Sequence, residues 1–217
     1  MRGSIPFGRV LGIRIRVHIT FLLLLVWFMW MGWELEGMSG GVWSAVLLLS
    51  LFLCVLLHEF GHCIVAMRFG VRTHSITLLP IGGVANMDRI PERPLEEFLI
   101  AVAGPLVNVV IAAAFIAATG HWPDMAGLEE LPHSFQELVP QIIRTNIILV
   151  LFNMIPAYPM DGGRVLRSLL ATVMEYGMAT TIAARVGQFV SLGFVLFGME
   201  YSPLLPLIGL FIFWAAG

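Results

Sequence analysis

Long apolar runs separated by short polar segments dominate the pattern of this chain. A membrane-spanning helix needs about 20 mainly apolar residues, and six segments approach that length: 17–33, 43–67, 98–119, 141–158, 180–199 and 203–216. The first and last are short, and prolines stand near the start of the last, so five spans is the alternative count. The pattern therefore predicts an all-α polytopic membrane protein with about six transmembrane helices.

Two other stretches alternate between apolar and polar residues, as strands do. Residues 7–17 predict a short amphipathic strand or surface segment that leads into the first span. Residues 71–88 alternate on both sides of a Gly82-Gly83 pair, which predicts a β-hairpin. Open strand edges are tolerated at membrane depth only when they are buried in protein or face a wet cavity. We therefore expect a small membrane-associated β-sheet. Residues 164–178 predict a short amphipathic helix near the cytoplasmic surface.

Composition and charge agree with a lipid environment. Charged residues make up 12% of the chain, whereas soluble domains carry about 25%. The net charge of −2 gives no support for nucleic-acid binding, which requires a basic surface. Arginines precede the first span, separate the second from the third, and follow the fourth: Arg2, Arg9, Arg14, Arg16, Arg68, Arg72, Arg89, Arg93, Arg164, Arg167 and Arg185. The positive-inside rule predicts that these segments and both termini are cytoplasmic.

His58, Glu59 and His62 form an HExxH motif inside the apolar run 43–67. Helical positions four apart share one face, so both imidazoles can reach one metal ion. Glu59 is placed to take a proton from a water molecule bound there. An ionisable group in a membrane helix costs about 2.5–3.5 kcal/mol on insertion scales, and a bound dication would compensate for three such groups. The alternative is a polar cluster hydrogen-bonded within a helix bundle, or a proton path.

Asp161 is the best candidate for a third metal ligand. A catalytic zinc ion usually takes three protein ligands and leaves one position for water. Prolines in the segment 153–160 should end the preceding helix, and Gly162-Gly163 permits a tight turn that aims the carboxylate sideways. His62 and Asp161 both lie shortly before cytoplasmic arginines, which gives them similar depth. The alternative is a turn aspartate at a helix end.

Other polar residues of the spans have two interpretations. Asn108 and Asn153 could hold the substrate backbone or assist the oxyanion, or they could hydrogen-bond between helices. Cys54 lies one turn before His58, and we interpret it as a core residue rather than a soft ligand. The isolated histidines are interpreted as structural or solvated; they are His18, His74, His121 and His133.

Several motifs resemble the site-2 protease family of intramembrane zinc metalloproteases. They are HEFGH at 58–62 and NMIPAYPMDGGR at 153–164, together with AGPLVN at 103–108, the start of the first span and the Gly82-Gly83 loop. The similarity covers nearly the whole chain in family order. HExxH and DGG are highly specific as a pair.

The resemblance implies one zinc ion per chain, held by His58, His62 and Asp161, with Glu59 as the general base. It implies a catalytic core of three helices, here the second, third and fourth spans, and it favours a functional role for Asn153. The implied activity is hydrolysis of single-span membrane proteins already released by a first cut, in regulated intramembrane proteolysis.

The domain organisation departs from some family members. No segment is long enough for a PDZ domain between the core spans, and no pair of CBS domains follows the last span. The chain is either a minimal member or a shortened form of a longer protein, and we expect the second. The prediction is one membrane-embedded protease domain over residues 1–217. It comprises an N-terminal strand and first span (1–33), the catalytic core (43–161), and an amphipathic helix with the last spans (164–217).

Two other functions would use similar residues. A metal or proton transporter also places His, Glu and Asp in the membrane, but transporters tend to contain internal repeats, whereas this chain has a single broken segment. A catalytically inactive scaffold is the second alternative, and the intact Glu59 argues against it. The expected partners are a single-span substrate and membrane lipid, at a site toward the cytoplasm; a regulatory membrane partner stays unassigned. Strand 73–79 is expected to bind an unwound substrate by β-augmentation.

Overall fold

The protein is mostly helical, with one small sheet packed against the helices. The computed structural model describes residues 3–88, 92–122, 131–201 and 204–216. Its elements in chain order are β1 (Ser4–Val10), β2 (Ile13–His18), α1 (Ile19–Arg68), β3 (Thr73–Leu79), β4 (Gly82–Met87), α2 (Pro94–Thr119), α3 (Phe135–Asn153), α4 (Asp161–Leu170), α5 (Tyr176–Tyr201) and α6 (Leu204–Ala216). The predicted fold class, apolar helices with a small sheet, is confirmed at this level.

Helix α1 contains 50 residues and turns back on itself. Glu36 and Gly37 leave the helical conformation, and Gly37 has φ 66°, a left-handed value that glycine adopts without a steric penalty. The two arms then pack together, since the ring centroids of Phe21 and Phe52 lie 4.5 Å apart. A straight helix would separate these residues by about 46 Å at 1.5 Å per residue. α1 therefore supplies both the first and the second predicted spans.

Four helices among the described residues are long and apolar enough to cross a membrane: α1, α2, α3 and the part of α5 from Tyr176 to Leu196. α6 is shorter, so helix length does not establish the predicted count of six. α3 ends at Asn153 rather than at residue 158, because the proline-containing segment after it forms turns. Arg185 lies within α5, in the range of the predicted span 180–199. Arg2 and Arg89 lie outside the described residues.

The sheet has the order β1-β2-β3-β4, with β2 and β3 parallel and the other pairs antiparallel. The predicted hairpin is confirmed as β3 and β4. The segment 7–17 contains two strands rather than one, because Leu11 and Gly12 turn the chain with positive φ. β3 pairs on both sides, so the expectation that strand 73–79 offers a free edge is wrong. Among the described residues, β4 pairs with β3 alone and forms one edge of the sheet, with β1 at the other.

The sheet packs on the second arm of α1. Ile13, Ile15 and Ile76 form a buried apolar cluster with Phe60 and Cys63 of α1. The two α1 residues belong to the turns that carry the HExxH motif. Burial of these apolar side chains therefore fixes the sheet beside the candidate site.

Candidate metal centre

His58 and His62 lie one turn apart on the second arm of α1, and both are buried, with 5% and 3% of their surface exposed. Gly61 between them brings α1 close to α2, since a Cβ at this position would lie 2.6 Å from the carbonyl oxygen of Ala103. The close approach puts both imidazoles within reach of groups on α2.

Hydrogen bonds from α2 determine which nitrogen of each imidazole faces inward. Nδ1 of His62 donates to the carbonyl oxygen of Ile100 at 2.7 Å. Nδ1 of His58 lies 2.6 Å from Oδ1 of Asn108. That oxygen is the acceptor, because Nδ2 of Asn108 donates to Oδ1 of Asn146 at 2.7 Å. Both rings therefore carry their proton on Nδ1 and present the lone pair of Nε2 to the centre.

Asp161 is the first residue of α4 and is 8% exposed. Its Oδ2 lies 3.1 Å from Nε2 of His58 and 3.0 Å from Nε2 of His62, and the two Nε2 atoms are 3.1 Å apart. One turn further along, Nη1 of Arg164 lies 3.8 Å from Oδ1 of Asp161. The structure thus brings the three predicted ligands together, and their binding of a metal stays a prediction.

The geometry fits a zinc ion. Two imidazole nitrogens and a carboxylate oxygen converge at one point, and with both imidazoles neutral a bound cation would satisfy all three. A tetrahedral ion with bonds of about 2.0–2.1 Å separates its ligand atoms by about 3.3 Å, close to the observed 3.0–3.1 Å. Gly104 of α2 keeps the space open, because a Cβ there would collide with Nε2 of His62. A donor set of two nitrogens and one oxygen suits zinc.

Glu59 lies next to His58 on the side of α1 that β4 covers. It is half-buried, and a Cβ at Gly83 of β4 would lie 2.6 Å from Cγ of Glu59. Among the described residues, Glu59 is not part of the group that could hold the metal. The carboxylate is therefore left for another task, and its role as a general base stays a prediction.

A buried chain of amides extends from the metal centre into α3. Asn108 and Asn146 are both 0% exposed. Nδ2 of Asn146 donates to Sγ of Cys54 at 3.2 Å and to the carbonyl oxygen of Ile142 at 2.8 Å. Asn146 was not predicted from the sequence as a site residue. Its amide in an apolar span was the available signal, because a buried amide requires hydrogen-bond partners on neighbouring helices. Cys54 lies outside the candidate metal group, in agreement with its interpretation as a core residue.

The two asparagines proposed for substrate contact have different surroundings. The Asn108 amide is engaged by His58 and Asn146, whereas Asn153 is partly buried at the end of α3 and donates to the carbonyl oxygen of Leu149 at 2.9 Å. Asn108 therefore supports a histidine, which is a contact between helices. Contact of either asparagine with substrate or oxyanion stays a prediction.

The side chains of three of the four isolated histidines have local partners. His18 caps α1 by accepting from the backbone amide two residues on. His74 pairs with Asp88 at 2.9 Å in an exposed position. Nδ1 of His133 lies 3.4 Å from Oε2 of Glu36, at the turn between the arms of α1. These contacts agree with structural or solvated roles.

The sequence is similar to known proteases over most of its length. Residues 46–145 and 124–197 match the profile of Peptidase family M50. Zinc metalloprotease MJ0392 of Methanocaldococcus jannaschii is 38% identical over 217 residues, which cover 100% of this chain and 60% of that protein. Stage IV sporulation protein FB of Bacillus subtilis is 30% identical over 155 residues, which cover 70% of this chain and 49% of that protein. The chain thus spans about half to three fifths of these relatives.

The fold is similar to a solved structure as well. The Site-2 Protease from Methanocaldococcus jannaschii matches with a TM-score of 0.70 and 38% identity, over 98% of this chain and 93% of that chain.

Proposed function

The chain belongs to peptidase family M50, the site-2 protease family of zinc metalloproteases, and from this premise we propose that it hydrolyses peptide bonds of single-span membrane proteins with one zinc ion per chain. The observation that carries the proposal is the convergence of three buried donor atoms, from His58, His62 and Asp161, beside a fourth ionisable group, Glu59. Placing such groups in apolar helices costs free energy, and a bound cation would compensate for that cost.

The chemistry follows from the positions of Glu59 and the histidines. When bound, zinc would lower the pKa of a water molecule and polarise the carbonyl of the scissile peptide. Glu59 would accept a proton from that water as its oxygen attacks the carbonyl carbon. It would return the proton to the amine nitrogen as the C–N bond breaks. Because Nδ1 of each histidine is already engaged, the imidazoles need no reorientation during the reaction.

The edge of β4 is the proposed binding site for an unwound substrate segment. A helical substrate hides its peptide bonds in its own hydrogen bonds, so it must become extended before cleavage. β4 leaves one edge free among the described residues, and Gly83 places this strand against the Glu59 side chain. A peptide added to β4 as a further strand would therefore run beside the proposed general base. The same site would accept substrates already shortened by a first cut, as in regulated intramembrane proteolysis.

The topology proposed for the chain has both termini in the cytoplasm and the metal centre toward the cytoplasmic side. The two arms of α1 would cross the bilayer once each, and α2, α3, α5 and α6 would supply four further crossings. Support comes from the exposed Arg9 and Arg14 on the β1–β2 hairpin and from the positive-inside rule. The partners are membrane lipid and a single-span substrate.

One reconstitution experiment tests the proposed function. The purified protein is placed in lipid nanodiscs with a single-span substrate carrying tags on both sides of the bilayer. Cleavage should occur with zinc, stop with a chelator, return with added zinc, and be absent with Glu59→Gln. A transporter would instead move zinc or protons across sealed vesicles without cutting. An inactive scaffold would bind the substrate and leave it intact, and either result would contradict the proposal.

A further inference from the structure

A second buried ionic cluster lies outside the metal centre. Glu97, in the first turn of α2, is 0% exposed. Its Oε1 accepts a hydrogen bond from Nε of Arg167 at 2.9 Å and another from Nη2 of the same guanidinium. Its Oε2 accepts from the hydroxyl of Tyr176 at 3.0 Å. The three residues belong to α2, α4 and α5, so the cluster joins three helices at one point.

Two tyrosine rings hold the guanidinium from its sides. The ring centroids of Tyr158 and Tyr176 lie 5.4 Å and 4.9 Å from Cζ of Arg167, within the range of cation–π attraction. Burial raises the pKa of the Tyr158 phenol, so this ring stays neutral. Arg167 is thus held by its hydrogen bonds to Glu97 and by its contacts with the two tyrosine rings. These contacts couple the position of α4 to that of Glu97.

Glu97 lies on the face of α2 that also supports the metal ligands. Spacings of three, four and four residues place a set of positions along one side of that helix; the set is Glu97, Ile100, Gly104 and Asn108. Ile100 and Asn108 accept hydrogen bonds from the two histidines of α1. Glu97 accepts from Arg167 of α4. One face of α2 therefore contacts both helices that supply ligands.

Helix α4 is joined to α2 by Arg167, at a distance from its candidate metal ligand Asp161. It has ten residues, Asp161 is the first, and the N-cap residue Met160 makes no side-chain hydrogen bond to the helix. Arg167 lies six residues after Asp161, about 9 Å along the axis at 1.5 Å per residue. Because a helix is rigid over this distance, an anchor at Arg167 determines where the Asp161 carboxylate lies.

We propose that Glu97 and Arg167 are positioning residues for the metal centre, and that their buried pair sets α4 against α2 so that Asp161 meets the two histidines. The inference rests on the proposed function, because it takes the three residues as zinc ligands. Stability alone does not account for the pair, since replacing a buried ion pair with apolar side chains is often neutral or stabilising. A requirement for exact geometry at Asp161 does account for it.

The zinc affinity of the purified chain tests this role. Affinity is measured by competition with a chromophoric chelator, and the absorption spectrum of the cobalt-substituted protein reports the coordination geometry. Glu97→Gln should raise the zinc dissociation constant by about 10- to 100-fold, the range seen for outer partners of metal ligands, and should alter the cobalt spectrum. Glu96→Gln is the matched control, because Glu96 lies in the same turn and pairs with the exposed Arg93. It should bind zinc like the unchanged protein.

A double variant separates positioning from folding. In Glu97→Met with Arg167→Met, apolar side chains of similar length refill the space. The thermal unfolding temperature should then match that of the unchanged protein, while the zinc affinity stays below it. If both quantities match those of the unchanged protein, the inference is overturned. So does equal zinc affinity in Glu97→Gln and Glu96→Gln, and that result leaves the proposed function intact. If the unchanged protein binds no zinc, the proposed function fails and the inference falls with it.

Discussion

Nδ1 of His58 and Oδ1 of Asn108 share a hydrogen bond of 2.6 Å between residues 50 positions apart in the chain. The bond selects the tautomer of the imidazole and turns Nε2 toward the place where Asp161 and His62 meet. Asn108 is itself oriented by Asn146. The candidate metal centre is thus supported by a second layer of hydrogen-bond partners, an arrangement that is usual around histidines that bind metals.

Removing that partner should weaken zinc binding without removing a ligand. Asn108→Leu keeps the volume but cannot accept from His58, so we expect the zinc dissociation constant to rise by about 10- to 100-fold. Asn146→Leu acts one bond further away and should have a smaller effect. The measurement is chelator competition on both purified variants. Unchanged affinity in Asn108→Leu would contradict a supporting role for this amide.

Glu59→Gln should separate metal binding from chemistry. The amide keeps the shape of the side chain but cannot take up a proton, so the cleavage rate should fall by about 10²–10⁴, the usual contribution of general base catalysis. Zinc content, measured by elemental analysis on the same preparation, should equal that of the unchanged protein. Cleavage at the normal rate would rule out Glu59 as the base.

Gly104→Ala should abolish metal binding. The new Cβ would collide with Nε2 of His62 and lie 2.8 Å from Nε2 of His58, in the space that the ion would need. Gly177→Ala is the matched control, because no atom lies within 4 Å of a Cβ at that position. Metal analysis of the two purified variants should show zinc in the control alone, and stoichiometric zinc in Gly104→Ala would show that the site lies elsewhere.

Proline substitutions along β4 test the binding of substrate to its edge. Proline lacks the backbone N–H that a paired strand needs, so some substitutions within Gly82–Met87 should block cleavage while zinc stays bound. A parallel scan through β1, Ser4–Val10, modifies the opposite edge of the same sheet and should leave cleavage intact. Rates are compared for folded variants with full zinc content. Equal sensitivity of both edges would argue against substrate pairing with β4.

Local patterns predicted the parts of the site that depend on short-range spacing. The four-residue separation of His58 and His62 predicts a shared helical face, and the prolines before Asp161 predict the end of α3. Apolar runs likewise predicted most of α1 and α2. In each case the signal lies within a few residues of sequence. The turn expected at Gly162-Gly163 is wrong, because both glycines lie in the first turn of α4.

Contacts between residues far apart in the chain could not be predicted from local sequence patterns. The bond of Asn146 to Asn108, the pairing of Arg167 with Glu97 and the parallel alignment of β2 with β3 join positions 38, 70 and about 60 residues apart. Each depends on how helices pack after they form, and hydrophobic periodicity does not report packing partners. The same limit explains why strand 73–79 was expected at an edge, since the pattern of one strand does not show how many neighbours it has.

The parallel alignment of β2 with β3 also determines how the orientation of the protein can be measured. Ile15 and Ile76 are neighbours in one hydrogen-bonded sheet, and a layer of hydrocarbon cannot separate paired strands. The side of the bilayer that holds β1 and β2 must therefore also hold β3 and β4, and β4 is the strand beside Glu59. A cysteine introduced at the exposed Gly8, in addition to the buried Cys54 and Cys63 of the native chain, can be tested with a membrane-impermeant label. Its labelling would therefore report the compartment that faces the sheet beside Glu59.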